Sequence, residues 1–425
     1  MKSKLEVLAD DSLASCRNAA QYPTPHTQVK SSAANSDSPL RDGMKARFYH
    51  PELDSIRFFL FCGVLTFHAL PHREVYYSLH HVPKAMASLL SAAIKACVCS
   101  LDVFFILSAY LITELILRER RLNGRVDLQA FYIRRLLRIW PLYFFFIALA
   151  WLWPLLDKSQ ATGWACVLSF LLFAGNWVMV AGGLSSFNVL APLWSVCFEE
   201  QFYLLWPLVL RRASKKMILA VAVGLLPLAS FAQFMLLHAR VFMLSIWCNT
   251  LTRLDSIACG ILLAALLHGR SLQIKLRTRL VLLGSGIAAW LLVGRYCGLV
   301  DFARPVPGVL ENMLGYPLMS LGATAIFLSI LGAPENGAPL MRYPGLVYLG
   351  KISYGLYVFH MLSLRITDKL LSKYFAVSGL KWYAMRWVCA FGIALIFAAV
   401  SFQFLEKPFL RLKRRFTYVP SGAPI

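Results

Sequence analysis

Long apolar runs separated by short polar and basic segments occupy the chain from about residue 55 to residue 405. A helix of about 17 to 25 apolar residues matches the roughly 30 Å hydrocarbon thickness of a bilayer. The eleven runs lie near 56–71, 97–117, 139–156, 164–182, 193–210, 217–238, 246–267, 280–297, 314–331, 346–364 and 384–404. This pattern predicts an all-α polytopic integral membrane protein.

The amino-acid composition also indicates a membrane protein. The 425 residues are 58% hydrophobic and only 15% charged, which is too apolar for a water-soluble globule of this size. Residues 1–45 are rich in Ser, Ala, Asp and Asn and are predicted to be a disordered cytosolic tail. Residues 46–410 form the predicted membrane domain, and residues 411–425 form a basic cytosolic C-terminal tail.

Basic clusters give the expected orientation, because Lys and Arg concentrate in cytosolic loops. These clusters comprise Lys45 with Arg47 and Arg57, Arg118 to Arg138, Arg211 to Lys216, Arg270 to Arg279, and Arg411 to Arg415. Three runs separate the second cluster from the third, so one of those runs is not a full span. The run 164–182 follows Gly163, contains Gly175 and Asn176, and is the expected broken or re-entrant segment. About ten crossings follow, with both termini cytosolic and the protein in a bacterial cytoplasmic (inner) membrane.

The formal charge of +22 has a simpler explanation than nucleic-acid binding. The cations lie between apolar runs, where they set topology and contact anionic membrane lipid, so no nucleic-acid partner is expected. The ten cysteines show no metal-ligand spacing, so no metal site is predicted.

Ionisable side chains inside apolar runs are costly and indicate candidate sites. Asp54, Arg57 and His68 belong to the first run, and a helix brings Arg57 and His68 to one face about 16 Å apart. The alternative is that Arg57 pairs with Asp54 at the cytosolic interface and His68 is an interfacial histidine.

Two adjacent carboxylates, Glu199 and Glu200, lie in an otherwise apolar and aromatic run, with Tyr203 one turn further on. They should not both ionise easily in a low dielectric unless an arginine supplies counter-charge. Arg135, Arg138 and Arg253 are the available partners.

Further polar candidates lie in other runs. Arg253 and Asp255 form either an internal ion pair without function or part of a substrate site. The tenth run carries Ser353, Tyr354, Tyr357 and His360. Arg134, Arg135 and Arg138 occupy one turn of a basic segment whose alternative role is to anchor topology.

Seven short motifs occur in one order along the chain. They are Leu53-Asp54-Ser55-Ile56-Arg57 with Phe67-His68; Asp102-Val103-Phe104-Phe105-Ile106-Leu107-Ser108 with Tyr110-Leu111-Ile112; Phe131 with Arg134-Arg135-Leu136-Leu137-Arg138-Ile139 and Pro141-Leu142-Tyr143; Leu193 to Tyr203; Arg253-Leu254-Asp255; Ile352-Ser353-Tyr354 with Leu356-Tyr357 and His360; and Glu406-Lys407-Pro408. From about residue 50 to residue 410 the chain resembles the membrane acyltransferase family 3. That bacterial family O-acylates surface polysaccharides, lipopolysaccharide, lipochitooligosaccharides and some antibiotics.

The resemblance implies a membrane O-acyltransferase that moves an acyl group, most commonly acetyl, from acyl-CoA to a hydroxyl of a glycan or glycolipid. It implies that Arg57 and His68 are the catalytic signature, with Asp54, Glu199, Glu200 and Tyr203 assisting. His68 is then either a general base or a transient acyl carrier.

By the same resemblance, Arg135 and Arg138, with Arg134 beside them, face the phosphates of acyl-CoA, which guanidinium binds through bidentate bonds. Candidate substrate-binding residues are Ser195, Arg253, Asp255, Ser353, Tyr357 and His360.

Two positions depart from the family pattern: Ser100-Leu101-Asp102 replaces Gly-Val-Asp, and Ser108-Ala109 replaces Ser-Gly. Both changes remove a glycine, the residue that permits close backbone approach. We expect no extracytoplasmic esterase-like domain after the last run, so the membrane domain is expected to meet its acceptor alone or with a separate extracytoplasmic partner.

Two other function classes fit parts of the pattern. A proton-coupled transporter of similar topology also carries ionisable residues in its spans, but the two halves of this chain show no evident repeat. A regulatory membrane protein with a dead site is disfavoured by the intact Arg57, His68, Arg135, Arg138 and Glu200.

Overall fold

A computed structural model describes residues 48–270, 272–299, 308–334, 337–375 and 378–417. These residues form an all-helical structure without β-strands. The α-helices are α1 (Pro51–Ala69), α2 (Glu74–Leu79), α3 (Lys84–Ala96), α4 (Ser100–Asn123), α5 (Leu128–Leu152), α6 (Trp164–Leu171), α7 (Gly175–Val180), α8 (Leu193–Leu210), α9 (Lys215–His238), α10 (Met243–Trp247), α11 (Leu254–Leu267), α12 (Leu276–Leu292), α13 (Val309–Leu331), α14 (Pro344–Lys351), α15 (Ser353–Tyr374), α16 (Gly379–Ser401) and α17 (Lys407–Lys413). The predicted N-terminal tail, 1–45, lies outside the described residues, and the C-terminal tail is described only to Thr417.

Within the described ranges, six helical segments are long and apolar enough to cross a membrane. They are Lys84–Asn123, Leu128–Leu155, Lys215–His238, Leu276–Cys297, Val309–Leu331 and Gly379–Lys413. The helices α1, α8 and α15 also coincide with predicted spans, but they carry the ionisable residues singled out above. A membrane protein is therefore supported, while the number of ten crossings stays a prediction.

The six segments differ in how much of their surface the protein covers. Protein buries 78% of the most apolar window of Lys84–Asn123, but only 22% of Lys215–His238 and 17% of Gly379–Lys413. Large apolar side chains such as Phe231 on α9 and Ile396 on α16 are exposed. Because a bilayer solvates such surfaces, α4 is an interior helix and α9, α12 and α16 form a lipid-facing perimeter.

The predicted broken segment, 164–182, is indeed broken in the structure. It divides into α6 and α7 around Phe173, which has a φ of 55°. The carbonyl groups released at the break find donors on other helices: Tyr143 donates to the Phe170 oxygen at 2.7 Å, and Gln201 donates to the Phe173 oxygen at 2.9 Å. These bonds meet the requirement that backbone polar groups in an apolar surrounding be paired.

A second break interrupts the run 246–267, which the apolar pattern presents as one span. It divides into α10 and α11 through a 3-10 turn at Leu251–Arg253. Thr250 in this break donates to Gln201 Oε1 at 2.7 Å, and Asn176 on α7 donates to the Thr250 hydroxyl at 3.0 Å. One glutamine on α8 therefore connects both broken segments.

Small residues allow the central helices to approach closely. A Cβ atom added to Gly260 on α11 would overlap the Ile106 carbonyl oxygen and the Ala109 side chain on α4. Glycine at this position is therefore a packing requirement, although it normally costs helix stability.

We expect Gly260→Ala to lower the thermal unfolding temperature of the purified protein in detergent, because the backbone of α4 cannot yield to the new methyl group. Gly284→Ala is the matched control, since nothing lies within 4 Å of a Cβ at that helical glycine. The control should be neutral or slightly stabilising through helix propensity. Equal unfolding temperatures for the two variants would contradict the close packing.

Candidate active site

A cavity of about 300 Å³ opens between α1, α4, α5, α8 and the segments around α14, α15 and α17. It collects many of the polar residues that the sequence singles out. Those lining it are Asp54, Arg57, Arg135, Arg138, Ser195, Glu199, Tyr203, Ser353, Tyr354 and Tyr357. These side chains come from four separate sequence motifs and face one space.

The cavity is predominantly cationic. Five Arg or Lys side chains line it, namely Arg57, Arg135, Arg138, Lys351 and Lys413, against three carboxylates, namely Asp54, Glu199 and Glu406. His50, which precedes α1, also lines the cavity, and burial lowers its pKa, with a smaller opposing effect from Glu52. His50 is therefore mostly neutral at pH 7, and the positive charge comes chiefly from the arginines.

Two of the cations are held in defined positions. Arg57 donates to Asp54 at 2.6 Å, one turn earlier on α1, as the alternative interpretation of that motif expects. The Arg135 guanidinium lies 5.5 Å from the ring centres of both Phe131 and Tyr203. Aromatic faces attract a guanidinium, so Arg135 is orientated by rings and keeps its hydrogen-bond donors for other partners.

The two adjacent glutamates point to different surroundings. Glu199 lines the cavity and accepts hydrogen bonds from Tyr203 at 2.6 Å and Ser108 at 3.2 Å. Glu200 does not line it, accepts from the Trp140 indole at 3.3 Å and keeps one buried oxygen without a partner among the described residues. Neighbouring helix positions differ by about 100°, which explains the division.

A line of polar groups leads away from the cavity towards His68. The Ser195 and Tyr357 hydroxyls lie 2.7 Å apart and both reach the Pro192 carbonyl oxygen. Behind Tyr357, the buried His360 ring is 5.4 Å from the Tyr357 ring and 5.2 Å from the His68 ring, between centroids. His68 and His360 do not line the cavity; they lie beyond its Tyr357 wall.

The bond from His360 to the backbone defines its chemistry. Its Nδ1 contacts the Tyr357 carbonyl oxygen, which can only accept, so Nδ1 carries the proton. The opposite nitrogen, Nε2, is then a lone-pair acceptor, and it has no partner among the described residues. The His360 ring, with this unengaged acceptor nitrogen, therefore lies beside the His68 ring.

Comparison with known proteins gives the family of the chain. Residues 50–403 match the family described as an acyltransferase domain, acyltransferase family 3. The chain belongs to acyltransferase family 3. The match covers all the motifs described above except the last, Glu406-Lys407-Pro408.

Individual relatives of this acyltransferase are distant. The O-acetyltransferase OatA of Staphylococcus aureus strain NCTC 8325 is 25% identical over 397 residues, which are 88% of this chain and 59% of the relative. The protein named "Putative O-acetyltransferase SAR0937", from S. aureus strain MRSA252, is 25% identical over 347 residues, covering 75% of this chain and 54% of the relative. The chain thus spans little more than half the length of these relatives. No solved structure matches the chain significantly.

Several predicted site residues of this acyltransferase lie away from the cavity. Arg134 pairs with Glu119 at 2.8 Å and donates to the Phe416 carbonyl oxygen at 2.7 Å, so it holds the helix ends together. Arg253 is fully buried and pairs with Asp102 at 2.7 Å. Asp255 accepts from the Ser256 backbone amide at 2.8 Å, and no ion pair to Arg253 is found in the described part of the chain.

Three residues that sequence reasoning missed also belong to the site. Lys351 and Lys413 line the cavity, but in the sequence they resemble ordinary topology-setting cations. Glu406 lines it too and accepts from Ser401 at 3.3 Å. Its occurrence in the Glu-Lys-Pro motif was the available signal. No group of three or more His, Cys, Asp and Glu side chains in the described ranges is placed to hold a metal ion.

Arg386 on α16 also escaped the sequence reasoning, and it fixes the end of the helix that carries His68. Its guanidinium donates to the carbonyl oxygens of His68 and Ala69 at 2.9 and 2.7 Å and forms two bonds to Asp368 on α15, at 2.6 and 3.0 Å. The last carbonyl groups of a helix otherwise lack partners. Arg386 therefore joins α1 to the helix that carries His360.

Removal of this guanidinium by Arg386→Ala should destabilise the protein by about 2–3 kcal/mol, because charged hydrogen bonds to two carbonyl groups and a carboxylate are lost. Arg386→Lys should recover only part, since an ammonium group lacks the planar fork. The measurement is thermal or denaturant unfolding in detergent, with Lys381→Ala, an exposed position on α16, as the control. Wild-type stability of Arg386→Ala would show that Arg386 does not fix the end of α1.

Proposed function

We propose that this protein is a multi-pass membrane O-acyltransferase that transfers an acyl group, most commonly acetyl, from acyl-CoA to a hydroxyl of a cell-surface or secreted glycan or glycolipid. The observation that carries the proposal is the cationic cavity, in which Arg135 and Arg138 lie on one face of α5. Tyr357 and His360 connect this cavity to His68. Family membership and the names of the relatives support acyl transfer as the chemistry.

The cavity suits the donor. Coenzyme A carries several phosphate charges, and guanidinium and ammonium groups bind phosphate through charge-assisted hydrogen bonds. Arg135 and Arg138, with Lys351 and Lys413, line the cavity at the end that the charge pattern predicts to be cytosolic. In the proposal these cations hold the nucleotide part of acyl-CoA, and the thioester reaches the inner end of the cavity near Ser195 and Tyr357.

The reacting base in the proposal is His68. When the acceptor oxygen attacks the thioester carbonyl carbon, the acceptor proton passes to a neutral imidazole nitrogen, the carbon–sulfur bond breaks, and coenzyme A leaves as a thiol after protonation. If His68 carries the acyl group instead, its nitrogen attacks the thioester carbonyl carbon, the carbon–sulfur bond breaks, and coenzyme A leaves as a thiol with the other imidazole proton. The acceptor oxygen then attacks the acyl-imidazole, and its proton returns to the imidazole as the carbon–nitrogen bond breaks. Hydroxyl donors at Tyr203 or Ser195 stabilise the negative charge that develops on the thioester oxygen.

The remaining parts of the proposal concern location and partners. The protein lies in a bacterial inner membrane with both termini cytosolic, so the donor binds at the cytosolic face and the acceptor approaches from the other side. The acceptor meets the membrane domain directly or through a separate extracytoplasmic partner.

Expression of the protein in a host that lacks it should add O-acyl groups to surface or secreted glycans, visible as a mass increment by mass spectrometry. His68→Ala should abolish the increment, while His238→Ala, an exposed histidine on α9, should leave it. Unchanged glycans in the wild-type strain, together with no binding or hydrolysis of acyl-CoA by the purified protein, would overturn the proposal.

Donor binding is tested with the double variant Arg135→Ala and Arg138→Ala. Loss of two charge-assisted phosphate contacts should raise the acyl-CoA dissociation constant at least about tenfold in a calorimetric or fluorescence titration. The matched control is Arg211→Ala with Arg212→Ala, two exposed arginines on the same predicted face that do not line the cavity. If both double variants bind acyl-CoA like the wild type, the basic segment sets topology only.

A further inference from the structure

A second basic depression lies at the predicted cytosolic ends of α4, α9 and α11, apart from the candidate active site. Its volume is about 250 Å³. Arg120, Arg121, Lys215 and His268 form its polar wall, and Leu117, Ile218 and Ala265 form its apolar floor. None of these residues lines the larger cavity, so the two depressions are separate. We call it the basic groove.

Two of the four polar residues of the groove are held by contacts with the protein, whereas the other two are exposed. Arg120 donates to the carbonyl oxygens of Leu210 and Ala213 at 2.9 and 2.7 Å, and His268 contacts Glu114 at 2.9 Å. These bonds shape the groove and join α4 to the turn that precedes α9. Arg121 and Lys215 are exposed, and neither pairs with a carboxylate within the described ranges.

The backbone beside the groove also accommodates Arg121. Gly269 has a φ of 74°, and a Cβ atom there would lie 3.2 Å from the Arg121 guanidinium. Glycine therefore allows the guanidinium to lie against the turn after α11, at the rim of the groove.

Lipid-facing surface borders the same groove. Met217 on α9 and Leu266 on α11 are 45% and 50% exposed, and each adjoins a groove residue in sequence. The apolar floor and these neighbours suit hydrocarbon, while the two exposed cations, Arg121 and Lys215, suit a negative charge at headgroup depth. A ligand that combines both features is a phospholipid with an acidic headgroup.

We infer that the basic groove binds the headgroup of an anionic phospholipid, with its phosphate between Arg121 and Lys215 and its acyl chains along the lipid-facing sides of α9 and α11. The bound lipid joins the ends of three helices that otherwise meet at an apolar depression. The site is independent of acyl transfer, so its failure and the failure of the proposed function are separate outcomes.

The test is native mass spectrometry of the purified protein after incubation with phosphatidylglycerol or phosphatidylcholine of identical acyl chains. Wild-type protein should retain phosphatidylglycerol preferentially. Arg121→Gln with Lys215→Gln should reduce that retention at least about tenfold, since each cation near anionic lipid contributes roughly 1 kcal/mol. Lys275→Gln with Arg277→Gln, exposed cations at the start of α12, should retain the lipid like the wild type.

Acyl-CoA binding by the groove variant, measured by the same titration as above, should be unchanged and reports that the protein is folded. The single variant Arg121→Glu should lower retention further than Arg121→Gln, because it places a negative charge at the phosphate. Equal retention of the two lipids by wild-type protein, or wild-type retention by the groove variant, would overturn the inference. Displacement of phosphatidylglycerol by millimolar inorganic phosphate alone would also overturn it, because the groove would then be a site for small anions.

Discussion

Arg253 and Asp102 form an ion pair in the centre of the bundle, where neither side chain is exposed. Taking both charges out of water costs several kcal/mol per ion, which only good geometry and further polar contacts offset. Here the separation is 2.7 Å, Ser256 also donates to Asp102, and the guanidinium lies 4.5 Å from the centre of the Trp247 ring. Loss of either partner would leave an uncompensated buried charge and cost about 3–5 kcal/mol.

That pair fixes α4 against α11, and the candidate active site depends on the position of α4. Phe104, Phe105 and Ser108 follow Asp102 on α4 and line the cavity. Ser108 then donates to Glu199, so the position of α4 helps to orientate a carboxylate on α8. The overlap of a Cβ at Gly260 with the Ile106 carbonyl oxygen shows how tightly the same contact is packed. A buried charge pair and a glycine contact thus determine where the cavity walls stand.

Hydrophobic pattern predicted the helices better than it predicted their interruptions. The break in 164–182 was expected from Gly163, Gly175 and Asn176, yet the chain turns at Phe173, where Gln201 and Tyr143 supply donors. The break in 246–267 contains Asn249 and Thr252, whose side chains bond nearby backbone groups. Its bonds to Asn176 and Gln201, more than 40 residues away in sequence, are not visible in the apolar pattern. Local periodicity cannot report tertiary hydrogen bonds that make a non-helical turn tolerable.

In the candidate site, too, helical spacing predicted some positions correctly, whereas tertiary contacts determined others. Asp54 with Arg57, and Arg135 with Arg138, are spaced to share a helix face and do line one cavity. Arg134 differs from Arg135 by one position and about 100° of rotation, and it binds Glu119 instead. Arg253 and Asp255 looked like partners because they are two residues apart. Positions i and i+2 point to nearly opposite sides of a helix. The ion-pair partner of Arg253 is instead Asp102, which is 151 residues distant.

The separation between the cationic cavity and His68 constrains any acyl transfer that joins them. Arg57 and His68 are eleven residues apart on α1, which is about 16 Å along a helix. A phosphate-bearing donor is stabilised where arginine and lysine surround it and would lose that stabilisation if it moved into the bundle. The acyl group is uncharged and has no such cost. In the proposed reaction, therefore, the nucleotide stays at the cations and only the thioester arm extends past Ser195 and Tyr357. The donor and the acceptor then meet at the wall formed by Tyr357 and His360.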